Sequence, residues 1–162
     1  MNSKLILASA FFLTFACQSA PSRPLLQGSD FVGWQKPVGI TAAHWTQRDG
    51  KLEGQALAAP LWTEREFGDF EITLEVRTLE GLPTAVLLAR GPKGFQVAFE
   101  PRPTGEWSHI RAKFTGAMND VDIEGQTSAG VLPGVALHGA IGLAAEGWGR
   151  VEIANVRVRE LH

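Results

Sequence analysis

Phe70-Glu71-Ile72-Thr73-Leu74-Glu75-Val76-Arg77 alternates apolar and polar residues without a break. Successive side chains of an extended chain point to opposite sides, so Phe70, Ile72, Leu74 and Val76 form one apolar row and the charged residues the other. That is a strand with one face on a core and one in water. The rest of the chain repeats the theme in short runs separated by turn residues. Residues 44–48 and 51–54 flank Asp49-Gly50, which supplies the positive φ values of a tight hairpin. Residues 85–89 and 95–99 flank a turn at 90–94, with Val86, Leu88, Val97 and Phe99 read as inward. Residues 107–114 carry Ile110, Ala112 and Phe114 on one side, and 120–124 turn back through Gly125 into 126–128. Residues 140–144 point Ile141 and Leu143 inward. In 151–158 the alternation slips between Ile153 and Val156, which predicts a bulge near Ala154-Asn155.

No stretch has a helical period. Short strands about ten residues apart, with 18 Gly and 9 Pro, predict an all-β fold, an antiparallel two-sheet β-sandwich. A continuous meander barrel is the alternative. The expected core is Phe70, Ile72, Leu74, Val76, Val86, Leu88, Val97, Phe99, Ile110, Phe114, Ile141, Leu143, Ile153 and Val156.

The first residues read as a leader. One positive charge at Lys4 precedes an apolar run, 5–16, too short to span a bilayer. It ends at Ala16-Cys17, and Cys17 is the only cysteine. That placement resembles a bacterial lipobox, in which the chain is cut before the cysteine and its thiol acylated; cleavage without lipid is the other reading. The expected organisation is a signal peptide over 1–16, the lipidated Cys17 and a tether over 17–24, and one domain over 25–162. The expected location is the cell envelope, with Gln18 favouring the outer membrane. The lipid would consume the one thiol, excluding a disulfide. A net charge of −2 excludes the basic footprint that nucleic acid requires.

Gly33-Trp34, Trp45, Asp49-Gly50-Lys51-Leu52-Glu53-Gly54, Leu61-Trp62-Thr63, Phe67-Gly68-Asp69-Phe70-Glu71, Gly105-Glu106-Trp107 and residues 154–161 together resemble the 3-keto-disaccharide hydrolase domain. The resemblance runs from about Leu25 to Leu161. It implies a concanavalin-like jelly roll, export, and cleavage of disaccharides oxidised at a 3-hydroxyl. A ketone at C3 acidifies the C2 proton, so the site needs a base, an acid for the leaving group and a stabiliser of the enolate. By resemblance such groups project from one sheet face. The family's polar positions carry Pro83-Thr84-Ala85, Ala89, Gln96-Val97-Ala98 and Ala144-Ala145-Glu146 here.

Strand parity leaves Gln96, Glu100 and Glu146 on that face, with Leu87, Ala89 and Ala98 among them and Arg90 and Trp148 at nearby loop ends. Glu100 and Glu146 are the candidate acid/base pair. Gln96, Arg90 and Trp148 are the candidate substrate contacts, Trp148 as a stacking platform and Arg90 as the anion- or carbonyl-directed group. Both glutamates can equally be solvated carboxylates, and Trp148 a cap on the core. Trp34, Trp45, Trp62 and Trp107 are assigned to packing. Asp120, Asp122 and Glu124 share a strand face. Ca²⁺ is possible there but not favoured, because nothing completes a cage, and a charged edge strand explains them. No cofactor is expected. Three functions follow: a glycoside-cleaving enzyme, a carbohydrate-binding sandwich without turnover, or a protein-docking module using Leu87, Ala89 and Ala98.

Overall fold

The computed structural model describes residues 20–36, 44–102 and 105–162. Among these there is no helix, and ten strands form the fold. They are β1 (Arg23–Pro24), β2 (Trp45–Arg48), β3 (Lys51–Gln55), β4 (Leu61–Phe67), β5 (Phe70–Ala89), β6 (Phe95–Phe99), β7 (Ser108–Thr115), β8 (Met118–Ile123), β9 (Gln126–Val131) and β10 (Gly139–Glu160). Every pairing is antiparallel. The expected leader, with Cys17, lies outside the described residues. Arg23 and Pro24 pair with Val158 and Arg157, so the sheet takes up the last two residues of the expected tether.

The organising element is a ribbon of two long strands. β5 and β10 stay paired from Ile141↔Ala89 to Glu160↔Phe70. Sequence reading divides each of them into two strands; the structure makes each continuous and folds the ribbon over at its middle. One half of the ribbon belongs to a longer sheet, in the order β2-β3-β10-β5-β7-β8-β9. The other half is flanked by β4 and β6 and forms a shorter sheet, β4-β10-β5-β6. Strands that pass from one sheet to the other at a bend are how such corners are built.

The corner depends on backbone that only glycine tolerates. Gly149 has φ +113° and Gly81 φ +78°; a Cβ on Gly149 would lie 2.0 Å from the Glu80 carbonyl oxygen, and one on Gly81 2.5 Å from that of Trp148. β5 also carries an extra residue there. Arg150 pairs with Glu80 and Val151 with Thr78, which leaves Leu79 unpaired. This bulge reverses the alternation of β5. Phe70, Ile72, Leu74 and Val76 point inward before it, whereas Ala85, Leu87 and Ala89 do so after it. The expected inward Val86 and Leu88 are therefore on the outer face, and Leu87 and Ala89, expected outside, belong to the core. A docking surface made of Leu87 and Ala89 is thus excluded. The predicted bulge of β10 is present: pairing shifts between Ala154 and Arg157, and Asn155 has φ 51°.

At the pole opposite the corner, the two ends of β5 meet. The Arg90 side chain is wholly buried; Nη2 donates to Asp69 Oδ1 at 2.7 Å, Nε to the Gly68 carbonyl at 2.9 Å, and Nη1 to the Gly116 carbonyl. Asp69 Oδ1 also accepts the Gly116 N–H at 2.9 Å. Asp69 precedes β5 and Arg90 follows it, so this cluster clasps the folded ribbon shut. Burial draws the guanidinium below its ordinary pKa, and the Asp69 carboxylate opposes that.

Between the sheets lies one core. Phe67, Phe70, Phe114 and Phe95 form a chain of tilted rings with neighbouring centroids 5.0 to 5.8 Å apart. Trp34 and Trp45 are buried with their indole N–H groups on the Leu25 and Ala59 carbonyls. The outer face of the longer sheet is charged and paired across strands, as in Arg77–Glu152, Arg111–Glu71 and Arg159–Glu71. Trp107 lies on this face under Arg77, 4.6 Å from its ring centroid.

Candidate functional site

The outer face of the shorter sheet differs in kind from that charged surface. Across its four strands Trp62, Gly142, Leu88 and Gln96 stand in one row of partners. Ala144, Val86 and Ala98 make the next row, and Glu146 and Thr84 the third. Glu100 follows Phe99, the partner of Ala85, and so comes level with Thr84. Paired residues share a face, so these side chains all leave the sheet on the side away from the core.

Trp62 is the principal feature of this face. It alternates with the buried Leu61 and Thr63 and is only half-buried itself. The benzo edge of its indole lies over Gly142, where a Cβ would come within 2.6 Å of Cζ3. The ring can lie down because its cross-strand partner has no side chain. β4 is held in position by Thr63, whose hydroxyl accepts the Ile141 N–H at 2.9 Å where the β4–β10 register shifts. Assigning Trp62 to packing holds for its contact with the strand but misses where the ring is presented. The available signal was Gly142, because a glycine inside a strand often marks a close approach.

The structure brings some of the predicted residues together. Glu146 on β10 and Glu100, just past the end of β6, stand on either side of Thr84, and both are exposed. Two strand spacings, about 10 Å, separate their backbones. Glu100 and Thr84 also line a cleft of about 380 Å³ with Thr78, Leu82, Pro101 and Arg102. Trp148 is 62% exposed at the corner, paired with Leu82, so it is not a cap on the core. Gln96 is exposed on the same face at the far end of Trp62's row, three strand spacings or about 14 Å away, and four residues along the chain from Glu100.

Arg90 is not part of this site. Expected as an anion- or carbonyl-directed group, it is buried at the other pole with its donors already committed to Asp69, Gly68 and Gly116. The sequence places it one residue from the face, but its positive φ of 66° turns the side chain into the clasp. Asp120, Asp122 and Glu124 form no cage: Asp122 accepts the Gly125 N–H and Glu124 pairs with Arg102. Among the described residues no group of three His, Cys, Asp or Glu side chains converges as metal ligands would.

No family model matches the chain, and no curated protein matches it in sequence. Solved structures do share its fold. A candidate glycosyl hydrolase from Parabacteroides distasonis superposes with a TM-score of 0.69 at 16% identity, over 87% of this chain and 94% of that one. The carbohydrate-binding module CBM66 from Bacillus subtilis gives 0.62 at 14% identity, over 79% and 96%. A galectin-like protein of unknown function from Bacillus subtilis gives 0.57 at 11% identity, over 86% and 94%. At such identities the likeness establishes the jelly-roll sandwich.

Proposed function

We propose that this protein binds a saccharide on the outer face of the shorter sheet, stacked on Trp62 and hydrogen-bonded by Gln96, Glu146 and Glu100. The observation that carries this reading is the Trp62 ring lying over Gly142, in a face whose other polar groups are two carboxylates, an amide and the Thr84 hydroxyl. A flat aromatic on a face that also carries acceptor-rich side chains suits a saccharide, whose rings have an apolar C–H face and a rim of hydroxyls. The names of the glycosyl hydrolase and the carbohydrate-binding module with the same fold support the ligand class.

A second reading is favoured by Glu100 and Glu146 flanking Thr84 on one face: the saccharide is a 3-keto-glycoside, and the protein cleaves it. One carboxylate would take the C2 proton, the electron pair would form the enolate and expel the glycosidic oxygen, and the other carboxyl group would protonate that oxygen. Water would then add to the resulting enone. In both readings acylation at Cys17 would hold the domain at the cell envelope.

The test incubates the protein with 3-keto-trehalose, 3-keto-sucrose and a 3-keto-glucoside, alongside the unoxidised sugars, and follows tryptophan fluorescence and free sugar. Saturable binding lost in Trp62→Ala supports the saccharide face. Release of sugar that stops in Glu100→Gln or Glu146→Gln, with binding kept, supports cleavage. Binding unaffected by Trp62→Ala refutes the proposed face.

A further inference from the structure

Three large apolar side chains stand in water at the corner: Leu57 is 82% exposed, Leu82 75% and Trp148 62%. Leu82 and Trp148 form a ridge, and the loop of Leu57 borders the same strand. Leu82 and Trp148 are direct cross-strand partners, and the loop holding Leu57 is bonded to the same stretch of β10 through Leu57 N–H to the Ala145 carbonyl and Ala56 N–H to the Gly149 carbonyl. Leu57 also holds φ 68°, a left-handed backbone that a leucine adopts at a cost. An exposed apolar residue in a strained conformation stabilises nothing in the free protein, and strain of this kind collects at functional sites.

The ridge adjoins the saccharide face. Leu82, Pro83 and Pro101 form the apolar wall of the cleft of about 380 Å³, and Glu100, Thr78, Thr84 and Arg102, the last paired with Glu124, supply its polar groups. The Trp148 ring covers Gly81 at the cleft's edge. A ligand running along β10 from Trp62 to this corner would meet first the aromatic platform, then the apolar row of Ala144 and Val86, then Glu146, Thr84 and Glu100, and last the apolar side chains of Leu82 and Trp148. We infer that the ligand is an amphipathic glycoside, whose sugar lies on the sheet face and whose apolar aglycone, aryl or alkyl, packs against Leu82 and Trp148. This rests on the saccharide reading and adds the chemistry of the group attached to the sugar.

The experiment compares matched methyl and octyl glycosides of glucose, galactose and maltose, the octyl compounds below their micellar concentrations, by calorimetry on the whole protein. 1-Octanol is the sugar-free control. The expected result is an octyl glycoside binding at least tenfold tighter than its methyl partner, with octanol unable to match it. Leu82→Ser should reduce that ratio several-fold and leave methyl-glycoside affinity unchanged, and Trp148→Ser should reduce the ratio as well. Equal binding of methyl and octyl glycosides overturns the inference while the saccharide reading stands. Octanol binding as tightly as the octyl glycosides also overturns it, since the ridge would then be a general apolar surface. Binding of no glycoside in the panel overturns it too; loss of Trp62-dependent binding of every sugar would be needed to overturn the saccharide reading as well. Leu82→Ser and Trp148→Ser change exposed side chains, and unchanged thermal unfolding of both variants verifies that the fold is kept.

Discussion

Replacing Arg90 by Met tests whether that residue serves the ligand or the fold. The structure gives its guanidinium one ion pair and two carbonyl partners, all without water at the arginine end. Hydrogen bonds to charged groups contribute about 1.5–3 kcal/mol each, and breaking a buried ion pair by removing one partner costs about 3–5 kcal/mol. Asp69 retains some contact with water, with 37% of its side chain exposed, and the methionine returns some apolar burial. The net loss expected is therefore roughly 4 kcal/mol, which for a domain of this size lowers the melting temperature by roughly 8–16 °C. Urea and thermal unfolding of the wild type, Arg90→Met, Asp69→Asn and the double variant measure it. The double variant should be less destabilised than the sum of the two single ones, because both remove the same pair. Saccharide affinity, measured well below the lowered melting temperature, should stay within about twofold. An Arg90→Met protein of wild-type stability that no longer binds sugar would refute the clasp and restore arginine to the ligand.

Other substitutions probe other parts of the structure. Trp62→Ala removes roughly 80–100 Å² of stacking surface under a bound sugar, about 2 kcal/mol, so affinity should drop roughly 30-fold in a fluorescence or calorimetric titration. Gly149→Val forces a branched Cβ towards the Glu80 carbonyl and should cost about 3 kcal/mol or more in urea unfolding. Gly91→Ala, with φ +86° but no atom within 4 Å of the added carbon, should cost only about 1 kcal/mol. Leu57→Gly relieves a left-handed leucine that packs on little and should stabilise the protein by about 0.5–1 kcal/mol, read as a higher denaturation midpoint.

The class of fold was legible because period-2 alternation is a local property. Residues 70–77, the Asp49-Gly50 hairpin and the turn at Gly125 could each be read without reference to distant parts of the chain. The bulge at Asn155 was legible too, since Ile153 and Val156 bracket it with large apolar residues. The bulge at Leu79 was not, because its neighbours Thr78, Leu79 and Glu80 show no clear inward row, and the error carried into the faces of Val86 to Ala89. The exposed, outward placement of Gln96, Glu100 and Glu146 was legible from parity alone. Parity failed where one backbone angle decides: Arg90 leaves the face through its positive φ. For Trp62 the deciding partner, Gly142, lies far away in sequence and is known only from the pairing.

The folded ribbon also sets the order in which this protein can be made. β10 closes the described chain, yet it is the partner of β1, β3, β4 and β5. Phe70 must find Glu160, and β3 and β4 have no link to β5 until the last 22-residue element is present. Pairings so distant in sequence form slowly. A ribosome releasing the chain from its N-terminus therefore handles the β2–β3 hairpin and β4 apart from the β6-β5-β7-β8-β9 array until β10 joins them. A truncation that removes β10 should leave no partial sandwich for quality control to recognise as folded.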